Sequence, residues 1–178
     1  MVLLMKRVFM AIKISLENRK KAEEWRAGFN GLPVRWIANE NLHLTLIPPW
    51  EEVDINSPIS RIEKIQGKIT PFTIKFHKIT YAPNPHRPRL IWAEGEAVKS
   101  LLELQKEIAG LLGAKKLTHE FKPHLTLARF RPEDFYKFSV KELNERISWI
   151  EKVNSVYLLE SILEPKGARY EVLKNFKL

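Results

Sequence analysis

The sequence predicts an α+β fold of two lobes related by an approximate two-fold axis. Three observations carry that expectation. The tetrapeptide His43-Leu44-Thr45-Leu46 recurs as His124-Leu125-Thr126-Leu127, 81 residues further on and close to half of the 178-residue chain. Strand-like segments dominate both ends, with the strongest helical periodicity lying between the two copies. No low-complexity stretch or long linker divides the chain, so residues 1–178 read as a single two-lobed domain.

The elements follow in order. Val8 to Ile14 is apolar and rich in β-formers, and reads as a first strand. Ala22, Trp25 and Phe29 recur at helical spacing before Gly31, which predicts a helix and its stop. Val34 to Ala38 and Leu42 to Ile47 read as two short strands, and Pro48-Pro49 is expected to end the second abruptly. Ser57-Pro58 supplies a cap and a first helical position for a helix carrying Ile59, Ile62 and Ile65 and ending before Gly67. Pro71 to Tyr81 and Arg89 to Gly95 read as strands around the stiff, basic loop of residues 82–88. Val98, Leu101, Leu102, Gln105, Ile108, Leu111 and Leu112 trace an amphipathic helix that Gly113 is placed to cap. After the basic Lys115-Lys116 link comes the second tetrapeptide strand. A helical region is expected from Pro132 to Ile147, then strands over Ser155 to Leu163 and Tyr170 to Phe176.

Composition narrows the function classes. A chain with 44% apolar residues can bury a sizeable interior, and no window approaches the ~20 uninterrupted apolar residues a membrane span needs. With no cysteine there is neither a disulfide framework nor a thiolate metal site, and the cytoplasm is the natural compartment. The N-terminal apolar run is interrupted by Lys6, Arg7 and Lys13 and has no small-residue cleavage site, so it reads as a strand and not a signal peptide. Thirty Lys and Arg against 21 Asp and Glu give a net charge of +9, spread along the whole chain. That charge suits a polyanionic partner, and it suits solubility equally well.

The repeated motif carries chemistry. Side chains alternate across a strand, so in each copy His and Thr share one face and the two leucines share the other. A rise of ~3.3 Å per residue sets His and Thr roughly 6 to 7 Å apart, a span that matches a phosphate with its hydrogen-bond partners. Cleaving a phosphodiester requires a base for the attacking oxygen and an acid for the leaving one, and two imidazoles supply both near neutral pH. The threonine hydroxyls can donate to the non-bridging oxygens, so the catalytic set is His43, His124, Thr45 and Thr126, with no metal and no cofactor.

Other residues have weaker claims. His77 shares a strand face with Thr73 and Lys75, where an exposed surface role is expected, and His86 belongs to the proline-rich loop. His119 precedes His124 by five residues, but no cysteine or acidic cluster completes a metal shell around them. Strict alternation turns Arg129 away from His124 and Thr126, whereas a bulge after Leu127 would bring it back as an anion contact. Arg89 lies at the rim of the basic loop. Trp36, Trp92 and Tyr170 could stack on a base, although aromatic residues at strand positions usually serve the core.

These residues resemble the LigT-like branch of the two-histidine phosphoesterases, the RNA 2′,3′-cyclic phosphodiesterases also called 2′-5′ RNA ligases. The resemblance runs through Arg7 to Ile12, Arg35-Trp36, Glu40 to Leu46, Pro88 to Trp92, Pro123 to Arg129, and Glu160-Ser161 with Leu163 before Gly167 and Tyr170. It implies two antiparallel sheets flanked by helices, with an active-site groove between them. It further implies metal-free opening of a terminal RNA 2′,3′-cyclic phosphate to a 2′-phosphate, with His43 as acid and His124 as base, and possible joining of 2′-5′ linkages. Arg129 matches a substrate-contact position, and Arg89, Trp36 and Tyr170 are further candidates. The implied partner is RNA bearing a cyclic phosphate or a 2′-5′ linkage, bound by a monomer. Where many relatives have a Lys-Phe-x-Gly-like segment after the first motif, this chain has Ile47-Pro-Pro-Trp50, a change bearing on substrate size. Small cyclic nucleotides, ADP-ribose cyclic phosphate and a non-catalytic nucleotide-binding role are the competing readings.

Overall fold

The computed structural model describes residues 5–114, 120–165 and 167–178. Twelve regular elements are β1 (Lys6–Lys13), α1 (Leu16–Ala27), β2 (Arg35–Trp36), β3 (His43–Glu52), α2 (Asn56–Ile62), β4 (Phe72–Ala82), β5 (Leu90–Gly95), α3 (Lys99–Leu112), β6 (His124–Arg129), β7 (Asn144–Val153), β8 (Ser155–Glu164) and β9 (Gly167–Lys177). Every strand pair is antiparallel, and the fold is α+β as expected.

The sheet runs β7-β4-β5-β6-β3-β1-β8-β9, with β2 attached to β6. It divides at its middle into two sets of four, β9-β8-β1-β3 and β6-β5-β4-β7, each ending on a motif strand. Among the described residues the two sets are joined through one ladder pair, Leu44 opposite Leu125. Past that pair β3 leaves β6, and β2 takes its place with Arg35 opposite Arg129 and Trp36 opposite Ala128. The sheet is therefore continuous and nearly parted, which opens a groove where the two lobes meet. The β1-α1-β3 and β5-α3-β6 units repeat the same path, which is the physical content of the duplicated tetrapeptide.

One face of the sheet is covered by helices and holds the main core. Leu44, Leu46, Leu125 and Leu127 point into it together with Leu101, Leu104 and Ile108 of α3. Gly113 ends α3 in the left-handed conformation at φ 63°, as its position after the last apolar residue predicts. The other face carries two small apolar clusters, Phe9-Ala11-Leu159 and Ala82-Leu90-Trp92, on either side of the groove. Residues 8–12 are thus buried on both faces, which is why β1 reads as an unbroken apolar run.

Two expectations need correction. Pro48-Pro49 does not end its strand, since β3 continues to Glu52 with Val8 opposite Trp50 and Lys6 opposite Glu52. Register shifts on either side of Met10 absorb the irregularity, and among the described residues no strand pairs with the other edge of β3 beyond Leu44, so the missing proline N–H groups break no ladder there. The region from Pro132 to Ile147 is not a helix. Only Pro132–Lys137 forms a 3-10 turn, and Ile147 lies in β7. The buried positions Trp149, Glu151 and Val153 alternate at a period of two, but the charge at Glu151 conceals that pattern.

Glu151 has a structural reason to be buried. Its carboxylate accepts hydrogen bonds from Ser15 N and Ser15 Oγ at 3.0 Å each and from Asn18 Nδ2 at 2.8 Å. It thereby satisfies the N-terminus of α1 from a strand in the opposite half of the sheet, where the helix dipole favours an anion. Glu151→Ala is expected to lower stability by about 1 to 3 kcal/mol in urea unfolding, because the buried Asn18 amide loses one of its two acceptors and the exposed Ser15 cap loses its anchor.

Candidate active site

The junction of the two half-sheets sets the site. With Leu44 opposite Leu125, the antiparallel register sets His43 across from Thr126 and Thr45 across from His124, all four on the groove face. Directly opposed residues have Cβ atoms about 5 Å apart, so the quartet surrounds one small volume. The burial pattern agrees in both copies: histidine and threonine are half-buried while the leucines are buried.

Each imidazole is held in the same way. His43 Nδ1 lies 2.6 Å from the Asn41 carbonyl, and His124 Nδ1 lies 2.8 Å from the Lys122 carbonyl. A carbonyl only accepts, so each Nδ1 donates, and each Nε2 is the ring nitrogen left for chemistry. Aromatic rings complete the support. Phe9 and Tyr170 sit 5.0 and 5.1 Å from the His43 ring, and Trp92 sits 4.4 Å from the His124 ring. Burial pushes the His43 imidazole down to about 4, against the Asn41 hydrogen bond that raises it, with the Arg129 and His124 charges adding to the depression. His124 is also lowered by burial, but there Glu94 acts in the opposite direction.

Arg129 does face the groove. Ile91 pairs with Ala128 and Trp92 with Thr126, so Leu127 is an extra residue in β6, and Leu127 and Ala128 are both buried. This bulge turns Arg129 back to the side of His124 and Thr126. A matching irregularity occurs at Leu46-Ile47, so the position related to Arg129 is Pro48. The Ile47-Pro-Pro-Trp50 departure therefore lies at the site, where one half offers an arginine and the other a proline.

Two cavities meet at Arg129, and the first of them contains three of the quartet. One, of about 860 Å³, is lined by Thr45, His124, Thr126, Arg89, Trp92 and Phe121 among others. The second, of about 720 Å³, is lined by Arg7, Lys13, Arg35, Trp36, Arg129 and Tyr170 among others. Arg89, Trp36 and Tyr170 are thus brought to the groove with the motif residues. His77 and His86 are not: His77 is half-exposed on β4 with Nε2 3.9 Å from Glu94, and His86 sits in an exposed turn closed on Asn84. His119 lies outside the described residues. Sequence reasoning missed Phe9, Asn41, Glu94, Phe121 and Lys122. For Glu94 a signal existed, since it stands two residues from Trp92 on the same strand face.

A doubled sheet with a duplicated His-x-Thr set at its join defines a protein of the two-histidine phosphoesterase class. The sequence pattern of the 2′-5′ RNA ligase superfamily matches residues 13–162, and the chain belongs to that family. A protein from Aquifex aeolicus named RNA 2′,3′-cyclic phosphodiesterase is 30% identical over 155 residues, 81% of each chain. One of the same name from Archaeoglobus fulgidus is 29% identical, covering 96% of this chain and 99% of its own. Among solved structures, one from Thermus thermophilus superposes with a TM-score of 0.81 at 26% identity, covering 97% of both chains. Escherichia coli LigT complexed with 3′-AMP gives 0.79 at 25% identity, covering 98% of this chain and 99% of LigT.

Proposed function

We propose that this protein hydrolyses the terminal 2′,3′-cyclic phosphate of RNA to a 2′-phosphate. His43 and His124 exchange the two protons, and Thr45 and Thr126 donate to the non-bridging oxygens. The observation that carries this reading is the Leu44–Leu125 register, which gathers two imidazoles and two hydroxyls around one volume. Both Nε2 atoms are free by the same device, so each proton transfer has its own group and the scheme needs no metal or cofactor. Arg129 supports it as a fork-shaped donor for the phosphate. Arg89, Trp36 and Tyr170 are read as contacts to the nucleotides on either side. The names of the curated relatives point to the same substrate. Action as a cytoplasmic monomer belongs to this reading. Among the described residues no helix is long and apolar enough to cross a membrane.

Incubation with cyclic-phosphate-ended RNA in the presence of a chelator is expected to yield a 2′-phosphate. The pH profile of kcat/KM should be a bell whose acid limb falls near pH 4, where the buried His43 takes up a proton. Loss of activity on chelation, or a 3′-phosphate product, would overturn the scheme. Equal efficiency on a cyclic-phosphate mononucleotide would move the substrate from RNA ends to small cyclic nucleotides. Formation of a 2′-5′ linkage from the same substrate and a 5′-hydroxyl RNA measures transfer to that hydroxyl in place of water, with the same P–O3′ bond breaking.

A further inference from the structure

Resting on the cyclic-phosphate reading above, we propose that Arg35 and Arg129 form a second anion site, which holds the RNA phosphodiester on the 5′ side of the terminal nucleotide. It starts from a pairing that folding alone does not favour. Arg35 of β2 stands directly across from Arg129 of β6. Like charges so placed weaken a ladder, because their Cβ atoms are about 5 Å apart. Among the described residues neither of the two guanidinium groups is in an ion pair. Arg7 and Arg169 of the same cavity are paired, the first with Glu51 and the second with Glu164 and Glu171. An anion between Arg35 and Arg129 offsets their repulsion, and a guanidinium fork suits phosphate oxygens.

The ladder fixes which way both side chains leave the sheet. Ala128 is fully buried in the main core, so Arg129 stands on the groove face, and its cross-strand partner Arg35 shares that face. Arg35 Nη1 reaches the start of β9, 4.0 Å from where a Cβ on Gly167 would stand. β6 meets β5 along one edge, and its other edge carries first β3 and then β2. The rung of His43 and Thr126 and the rung of Arg35 and Arg129 therefore lie on the same edge of β6. With the bulge at Leu127 taking up one residue, the arginine rung is about 7 Å beyond the quartet, comparable to one nucleotide step.

The ribose decides what lies there. With its 2′,3′ edge against the quartet, the base on C1′ and the chain on C4′ leave from opposite sides of the ring. The two cavities that meet at Arg129 differ in the matching sense. The larger has apolar walls of Pro48, Pro83, Leu90, Trp92 and Phe121, which suit a base, and its cations Arg89 and Lys122 share it with Glu120. The other sets Arg7, Lys13, Arg35 and Arg169 against Glu40 and Glu164, which suits a polyanion. The terminal base thus occupies the first cavity and the RNA chain the second, where its last internal phosphate meets the arginine pair. A cyclic mononucleotide with a 5′-hydroxyl has no group to place there.

The test is a cycle between enzyme and substrate, with kcat/KM measured at low salt. The substrates are a cyclic-phosphate-ended RNA oligomer, the same oligomer with a neutral methylphosphonate at its last internal linkage, and a cyclic mononucleotide with a 5′-hydroxyl. Arg35→Gln is expected to lower kcat/KM on the oligomer by about 5- to 20-fold, and on the mononucleotide by less than about twofold. The methylphosphonate should cost the wild type a similar factor and cost Arg35→Gln little more, because both changes remove one contact. Moved one linkage further from the cyclic end, it should instead add to the loss in Arg35→Gln. The same variant should flatten the dependence of log kcat/KM on log salt for the oligomer by about 0.7, the share of one phosphate on a single strand. Equal losses on oligomer and mononucleotide overturn the proposal, as does full additivity of Arg35→Gln with the methylphosphonate at the last linkage. Coupling of that linkage to Arg89→Gln in place of Arg35→Gln overturns it too, since the chain would then run through the other cavity. If the wild type hydrolyses no cyclic end, the substrate reading fails. The same cycle run on binding of a 2′-phosphate-ended oligomer still decides whether Arg35 holds the last linkage.

Discussion

Replacing either His43 or His124 by alanine is expected to lower cyclic-phosphate hydrolysis by about 10²- to 10⁴-fold, and replacing both should cost little more than the worse single change. The expectation follows from the way the two rings are placed. In the proposed scheme one Nε2 serves the attacking oxygen and the other the departing one, on opposite sides of a phosphate between the two strands. Loss of either leaves one proton transfer to water, and the step then proceeds no faster for having the other group in place. Both histidines are half-buried on the groove face and outside the main core, so the variants should keep the wild-type thermal midpoint. Measuring kcat and KM separately makes the test specific. A fall in kcat with KM held marks loss of proton transfer, whereas a rise in KM alone would mark a binding role for the ring and would sink the assignment.

How much of this was legible beforehand depends on whether the signal is local. The alternation within His-Leu-Thr-Leu was enough to place two residues on each face, because the pleat is a property of the strand itself. The amphipathic α3 with its Gly113 cap was readable for the same reason. The bulge at Leu127 was not, because it arises from how β6 meets β5. It was foreseen only as the condition under which Arg129 would face the groove. β7 was misread because Glu151, a charge in a core-facing position, serves the N-terminus of a helix more than 130 residues earlier. The continuation of β3 through Pro48-Pro49 was hidden in a similar way, since proline forbids a strand only where a neighbour needs its N–H. In each failure a distant partner overrode a sound local rule. The registers that set Glu94 across from His124 and His43 across from Thr126 belong to this class as well, which is why the duplicated motif named the groups but not their partners.

The strand junction itself makes the second strong prediction. Leu44 and Leu125 are fully buried, and among the described residues they form the one ladder pair between the half-sheets, directly beneath the quartet. Leu44→Ala and Leu125→Ala should each destabilise the fold by about 2 to 5 kcal/mol, the range for truncating a leucine in a core that cannot collapse around the gap. Because the two side chains share that space, the double variant should depart from additivity by about 0.5 kcal/mol or more in a double-mutant cycle followed by urea unfolding. Activity supplies the sharper readout. Studied well below its melting temperature, each single variant should lose kcat beyond its folded fraction, because relaxing β3 against β6 moves His43 relative to Thr126 and Thr45 relative to His124. Ile79→Ala, an equally buried truncation on β4 away from the junction, should lose comparable stability with kcat per folded molecule unchanged. If the junction variants and Ile79→Ala showed the same kcat per folded molecule, the single strand pair would be holding the lobes together without setting the geometry of the site.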